Sequence, residues 1–134
     1  MHARDGDERM NTRTVLFVDD DHDVLELARQ LLGAQGYRVL RADGAFQAME
    51  ILEQARPDAM VLDLMMPDRT GVEVLEQVRF DPKLADLPVI CFSAVPQTEE
   101  TLAFIREFSV GLVDKTNWPE LVRRLGELFT ERGD

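Results

Sequence analysis

Short, nearly continuous apolar runs alternate through this chain with segments whose apolar residues recur at helical spacing. The runs are Val15-Leu16-Phe17-Val18, a stretch over 38–42, Met60-Val61-Leu62 within 59–64, Val89-Ile90-Cys91-Phe92, and Leu112-Val113. Those over 15–18, 60–62 and 89–92 are apolar on both sides of a strand. Such strands belong to a parallel sheet covered on both faces, because polar-free faces must both be buried. The intervening segments supply the covers. Over 23–33, Val24, Leu25, Ala28, Leu31 and Leu32 form one broad face, with Asp21 or Asp23 able to cap its start. Over 45–54 the stripe is Ala45, Ala48, Met49 and Leu52. Thr70 and Glu73 have the spacing of a capping box for a third helix ending near Arg79. A fourth, over 99–108, follows Pro96 and Thr98, and Asn117 can cap a last one carrying Leu121, Val122, Leu125, Leu128 and Phe129. Gly36, Pro57, Pro67, Gly71, Pro82 and Pro88 punctuate the junctions. Strand and helix alternating in this way predict an α/β fold.

With 134 residues, 45% apolar and 31% charged, the chain has enough material for one domain with a real core. Residues 1–12 are polar and aperiodic and read as a disordered tail, with Met10 a possible alternative start, and 13–132 read as the domain. Neither a signal peptide nor a run of membrane-spanning length is visible, which makes the cytoplasm the expected location and excludes a membrane partner. The net charge of −11 opposes direct nucleic-acid binding, which needs basic surface, and no helix-turn-helix follows the last helix. The lone Cys91 sits inside a strand run and is read as a small buried hydrophobe.

Four of the runs end on chemically useful residues. The first meets Asp19-Asp20-Asp21, the third Asp63 and the fourth Ser93, while Lys115 follows the fifth. Ligands of open parallel sheets bind outside the carboxyl ends of the strands, so these side chains converge. Any one of them has an ordinary explanation as a helix cap, a turn residue or a surface lysine. Jointly they compose a site. Two like charges ~4 Å apart repel by roughly 4 kcal/mol at an effective dielectric of 20, so clustered carboxylates call for a cation. Mg²⁺ (or Mn²⁺) suits one or two carboxylates and a phosphoryl oxygen. Asp63 is the candidate acceptor, because a carboxylate that attacks phosphorus becomes an acyl phosphate. Lys115 and Ser93 then supply donors for the developing charge.

These residues carry a family resemblance. VLFVDDDHDVLELARQLL, VLDLMMPDRTG, LPVICFSA and DKTNWPEL together resemble the receiver domain of bacterial two-component response regulators, over about residues 13–130. The resemblance implies a flavodoxin-like, doubly wound sheet of five parallel strands in the order 2-1-3-4-5, an order already known for a member of this family. It implies a phosphorelay module, not an enzyme, that takes phosphoryl onto Asp63 from a histidine kinase or a histidine phosphotransfer protein. Asp20, Asp63 and the backbone carbonyl of Met65 would bind Mg²⁺ directly and Asp19 through water, while Ser93 and Lys115 would hold the phosphoryl oxygens. Output would pass to a downstream protein.

Three positions depart from the family pattern. Thr116 replaces the usual proline after the lysine, which predicts an ordinary trans peptide there. Leu112 stands at the aromatic switch position, so no ring can turn inward. Phe108-Ser109 replaces a Gly-Ala pair, which predicts a different exit from the fourth helix. Phe104 and Phe108 give that helix a wide apolar surface, open to deep packing or to a partner. Met65 and Val95 would flank the path of a hydrolytic water, and neither can hydrogen-bond it. Two further readings remain. Asp19-Asp20-Asp21 contains the Asp-any-Asp element of haloacid-dehalogenase-like phosphatases, which would make Asp19 the nucleophile. The chain could also be a receiver-like scaffold without phosphate turnover.

Overall fold

The computed structural model describes residues 12–94 and 97–131. Five parallel strands are laid out in the order β2-β1-β3-β4-β5. They are β1 (Thr14–Val18), β2 (Arg38–Ala42), β3 (Ala59–Leu62), β4 (Val89–Ser93) and β5 (Gly111–Asp114). The helices between and after them are α1 (His22–Ala34), α2 (Ala45–Gln54), α3 (Gly71–Phe80), α4 (Glu99–Phe108) and α5 (Trp118–Glu131). The expected order and alternation are both present. Strand β3 stops at Leu62, two residues short of the expected end, because Asp63 and Leu64 already belong to the loop that enters α3.

Period-two alternation divides the sheet residues between two cores. Leu16, Val18, Met60, Leu62, Val89 and Cys91 face Ala45, Ala48 and Leu52 of α2, Val74, Leu75 and Val78 of α3, and Ile105 of α4. Val15, Phe17, Ala59, Val61, Ile90, Phe92 and Val113 face Leu25, Ala28 and Leu32 of α1 and Leu121, Leu125 and Phe129 of α5. Strands β3 and β4 are buried throughout and β1 from Val15 onward, as their unbroken apolar runs require. Cys91 lies in this interior, where burial pushes its thiol up to about 11, so it is a packing residue.

The caps follow from side-chain chemistry. Asp21 accepts from the amides of Asp23 (2.9 Å) and Val24 (3.4 Å) at the start of α1. Thr70 and Glu73 form the expected reciprocal box on α3. Asn117 Oδ1 accepts from the Glu120 amide at 3.1 Å. The α4 exit departs from a glycine cap, as expected. Ser109 is extended, its Oγ donates to the Ile105 carbonyl at 2.7 Å, and Arg79 Nε donates to the Phe108 carbonyl at 2.9 Å. The chain then turns at Gly111, whose φ of +151° favours glycine. Phe104, Phe108 and Leu112 are half-buried against the first core. Phe80, 65% exposed, adds a ring 5.6 Å from that of Phe108 and carries the apolar surface outward from α4.

Candidate functional site

Backbone pairing brings the singled-out residues to one edge of the sheet. The Asp63 amide donates to the Val18 carbonyl at 3.0 Å, and the Asp19 amide to that of Ala42 at 3.1 Å. The Lys115 amide donates to the Ser93 carbonyl at 3.2 Å. The ladder therefore continues one residue beyond the strands and fixes where Asp19, Asp63 and Lys115 begin. Asp19 is fully buried, Asp63 is 3% exposed and Ser93 5% exposed, while Asp20 faces solvent.

One ligand oxygen from each of Asp19, Asp20 and Asp63 lies within 4.8 Å of the others. Lys115 Nζ reaches 2.7 Å from Asp19 Oδ2 and 3.5 Å from Asp63 Oδ2. The first contact neutralises charge, and apart from that ion pair the buried Asp19 Oδ2 has no hydrogen-bond partner among the described residues. The second carboxylate oxygen of each buried acid is held by the backbone. Asp19 Oδ1 accepts from the Asp21 amide at 2.9 Å, and Asp63 Oδ1 from the Met65 amide at 3.3 Å.

Electrostatics leave the pocket short of positive charge. At an effective dielectric of 20, the Asp19–Asp63 pair repels by about 3 kcal/mol. Burial first, and then the charge of Asp19, raises the Asp63 carboxyl above its ordinary value, against the opposing pull of Lys115 and the Met65 amide. Burial also works to lower Lys115, but its contacts with Asp19 and then Asp63 outweigh that and raise it. One ammonium thus faces two buried carboxylates and a third at the mouth. An all-oxygen donor set, a buried carboxylate oxygen whose one partner among the described residues is the ammonium, and a net negative charge suit a hard divalent cation.

The Asp63 loop is shaped by close packing. Gly71 opens α3 directly beneath it, and a Cβ there would collide with the Asp63 carbonyl oxygen and lie 2.7 Å from Leu64 Cα. The Gly71 amide donates to the Leu64 carbonyl at 3.0 Å. Met65 is 55% exposed at the rim. Val95, the other residue expected to flank the hydrolytic path, lies outside the described residues, as do 1–11 and 132. In the β5–α5 loop no cis peptide occurs, consistent with Thr116 in place of proline. The loop is instead pinned by Asp114, whose Oδ1 accepts from the Thr116 amide at 2.9 Å and hydroxyl at 2.6 Å.

Two supporting features escape sequence reasoning. Trp118 stacks on Phe17 at 5.7 Å and meets Phe92 edge-on at 5.0 Å, locking the start of α5 under the strand ends that carry Asp19 and Ser93. Asp68, from the Asp63 loop, bonds amides at the start of α2. Both contacts join segments far apart in sequence, so no local pattern signals them.

The model of the response regulator receiver domain matches residues 15–125. The chain belongs to that family. It is a receiver domain of the two-component response regulators, a family of signalling modules, and the phosphatase reading of Asp19-Asp20-Asp21 is set aside by this membership. Response regulator MprA of Mycobacterium leprae is 40% identical over 89 residues, 66% of this chain and 38% of that protein. Phosphate regulon transcriptional regulatory protein PhoB of Pseudomonas aeruginosa is 30% identical over 125 residues, 90% of this chain and 53% of that one. The receiver thus spans about two-fifths to a half of these relatives. Among solved structures, response regulator TrrA of Thermotoga maritima, in complex with Mg²⁺–BeF, superposes with a TM-score of 0.78 at 26% identity, covering 87% of this chain and 99% of that one. No helix among the described residues is long and apolar enough to cross a membrane.

Proposed function

We propose that Asp63 is the phosphoacceptor of this receiver, and that Asp19, Asp20, Asp63 and the Met65 backbone carbonyl hold Mg²⁺ or Mn²⁺ beside it. The observation that carries this reading is a buried Asp63 carboxylate with an ammonium 3.5 Å away and two further carboxylates within 4.8 Å. That TrrA, a relative in fold and family, was obtained with Mg²⁺–BeF supports it. When bound, the cation supplies charge that neutralises the carboxylates and stabilises phosphoryl oxygens.

The chain's own residues do the rest. An Asp63 oxygen attacks the phosphorus of a phosphohistidine. The new P–O bond forms as the P–N bond breaks, and the imidazole nitrogen leaves with the P–N electron pair. The Met65 amide fixes the rotation of the carboxylate, and sheet burial strips it of water. Lys115 and Ser93 stand at the ends of neighbouring strands, where an ammonium and a hydroxyl can take the phosphoryl oxygens. The donor in this reading is a histidine kinase or histidine phosphotransfer protein, the compartment is the cytoplasm, and the receiver of the signal is another protein. With Leu112 in place of a ring, the signal leaves through Ser93, the loop after it and α4, where Phe104 and Phe108 can contribute to a partner face.

The test is intact mass after incubation with acetyl phosphate and Mg²⁺. Wild type should gain a single phosphoryl increment, and Asp63→Asn none. An increment that persists in Asp63→Asn, or maps to Asp19, overturns the assignment. Absence of any increment in wild type returns the scaffold reading.

A further inference from the structure

We propose that Asp68 is a positioning residue for Asp63, tying the phosphoacceptor loop to the N-terminus of α2. The inference rests on the reading of Asp63 as the acceptor. Helix α2 begins after Gly44, which has no side chain to cap the free amides of its first turn. The cap comes from another loop. Asp68 Oδ1 accepts from the Ala45 amide at 3.2 Å, and Oδ2 from the Phe46 amide at 3.1 Å. Oδ1 also accepts from the Arg69 amide at 2.9 Å, which fixes the carboxylate to its own loop. Burial works to raise the Asp68 carboxyl, and the amides of Phe46, Ala45 and Arg69 outweigh it and hold it below the usual range.

Gly44 is the second half of the device. Its φ of 177° is extended backbone that any residue adopts, so conformation does not call for glycine. Space does. A Cβ at Gly44 would lie 2.9 Å from Asp68 Oδ2 and 3.2 Å from Oδ1. The missing side chain makes room for a carboxylate from the loop that follows β3.

The consequence reaches Asp63 through the backbone. Met65 lies between Asp63 and Asp68, and its amide donates to Asp63 Oδ1 at 3.3 Å. The loop is anchored at its far end by Gly71 against Leu64. Asp68 is the tie that reaches across to α2. Releasing it loosens the stretch that carries the Met65 amide and carbonyl, and with them the orientation of the acceptor carboxylate. Misplacement of a reacting group by about 1 Å can cost a hundredfold in rate.

Four variants test this: Asp68→Ala, Asp68→Asn, Gly44→Ala and the double Asp68→Ala/Gly44→Ala. Each is followed by amide exchange at Ala45, Phe46 and Met65 without metal, and by the rate of labelling with acetyl phosphate and Mg²⁺. In Asp68→Ala, exchange should quicken at all three amides and labelling should slow by about tenfold. Asp68→Asn, which keeps an acceptor oxygen, should recover part of both. Gly44→Ala should reproduce the defect from the other side. The double variant should be no worse than Asp68→Ala, because the added Cβ then has nothing to displace. If Ala45 and Phe46 exchange faster while Met65 stays protected, Asp68 is only a helix cap and the proposal falls. Labelling at the wild-type rate in Asp68→Ala, or defects that multiply in the double variant, also overturns it. If wild type takes no label at all, the phosphoacceptor reading has failed, and Met65 exchange still decides the role of Asp68.

Discussion

Two ion pairs in this molecule have the same length and opposite meanings. Lys115 Nζ stands 2.7 Å from Asp19 Oδ2, with side chains 22% and 1% exposed. Arg123 Nη2 stands 2.7 Å from Glu120 Oε2, with side chains 54% and 28% exposed. The second pair belongs to a ladder along α5, where Arg123 also meets Glu127 at 2.6 Å and Arg124 meets Glu120 at 2.9 Å. Water and salt screen such surface pairs, and ordering long side chains cancels much of what remains. At the sheet edge the charges have left water, and the count is unbalanced, with two buried carboxylates against one ammonium. The depth of a pair, and not its length, decides whether it is a surface decoration or an unfinished binding site.

The largest effect that sharpens this contrast is expected for Lys115→Met. It leaves Asp19 and Asp63 buried without their counter-charge. Removing one partner of a buried pair costs 3–5 kcal/mol, and the partial exposure of Lys115 reduces that to about 2–3 kcal/mol at neutral pH. Wild type should also lose stability in alkali. The pKa of Lys115 is raised in the fold, so its stabilisation is complete below its unfolded value of 10.5 and disappears as pH rises through the folded one. Urea unfolding checks both. Equal stability of the variant and wild type at pH 7 would show that the ammonium does not balance the carboxylates.

Next in size is the response to a cation. A ligand that binds only the folded protein stabilises it by about 2.7 kcal/mol at a hundred times its dissociation constant. Mg²⁺ should therefore raise the urea midpoint of wild type at neutral pH. Asp20→Ala should lose that increment and be slightly more stable than wild type without metal, since repulsion is relieved. The pH limb has an inverted sign. The folded pKa of Asp63 lies above its ordinary 3.8, so the fold takes up a proton before the unfolded chain does. This carboxyl makes metal-free protein more stable as pH falls through the folded pKa toward 3.8, and Asp63→Asn should flatten that rise. A wild type indifferent to Mg²⁺, with Asp20→Ala weaker in both conditions, would remove the pocket from consideration.

What could be read from the residues divides along the same line of depth and distance. Sheet and helices were legible because burial on two faces leaves unbroken apolar runs, as in Val89-Ile90-Cys91-Phe92, and amphipathic stripes elsewhere. Asp19, Asp63, Ser93 and Lys115 were legible because strand ends are a known place to look. Asp68 was not. It reads as one more polar residue in a turn, and its partners at Ala45 and Phe46 belong to a different loop. Gly44 gave no hint either, since a glycine kept for space looks like any other before a helix. Trp118 was not legible as a support either, since its packing on Phe17 and Phe92 depends on how α5 crosses β1 and β4. The apolar surface on α4 was anticipated at Phe104 and Phe108, while its most exposed ring, Phe80, comes from α3.

The smallest expected effect completes the contrast. Arg123→Ala removes the guanidinium shared by Glu120 and Glu127, contacts of 2.7 and 2.6 Å, as short as the buried pair. Counting contacts by length alone would rank this change beside Lys115→Met. The physics of an exposed helix ranks it far below. Both acids turn back into solvent, Arg124 still meets Glu120, and alanine is a better helix former than arginine, which offsets part of whatever is lost. We expect a urea midpoint within the scatter of wild type at physiological salt, with any difference growing as salt is lowered. Phosphorylation by acetyl phosphate should be unchanged, since Arg123 lies on α5 and takes no part in the pocket at the strand ends. A loss comparable to that of Lys115→Met, persisting at high salt, would mean that the ladder on α5 holds the fold together and that exposure is the wrong measure of what these pairs do.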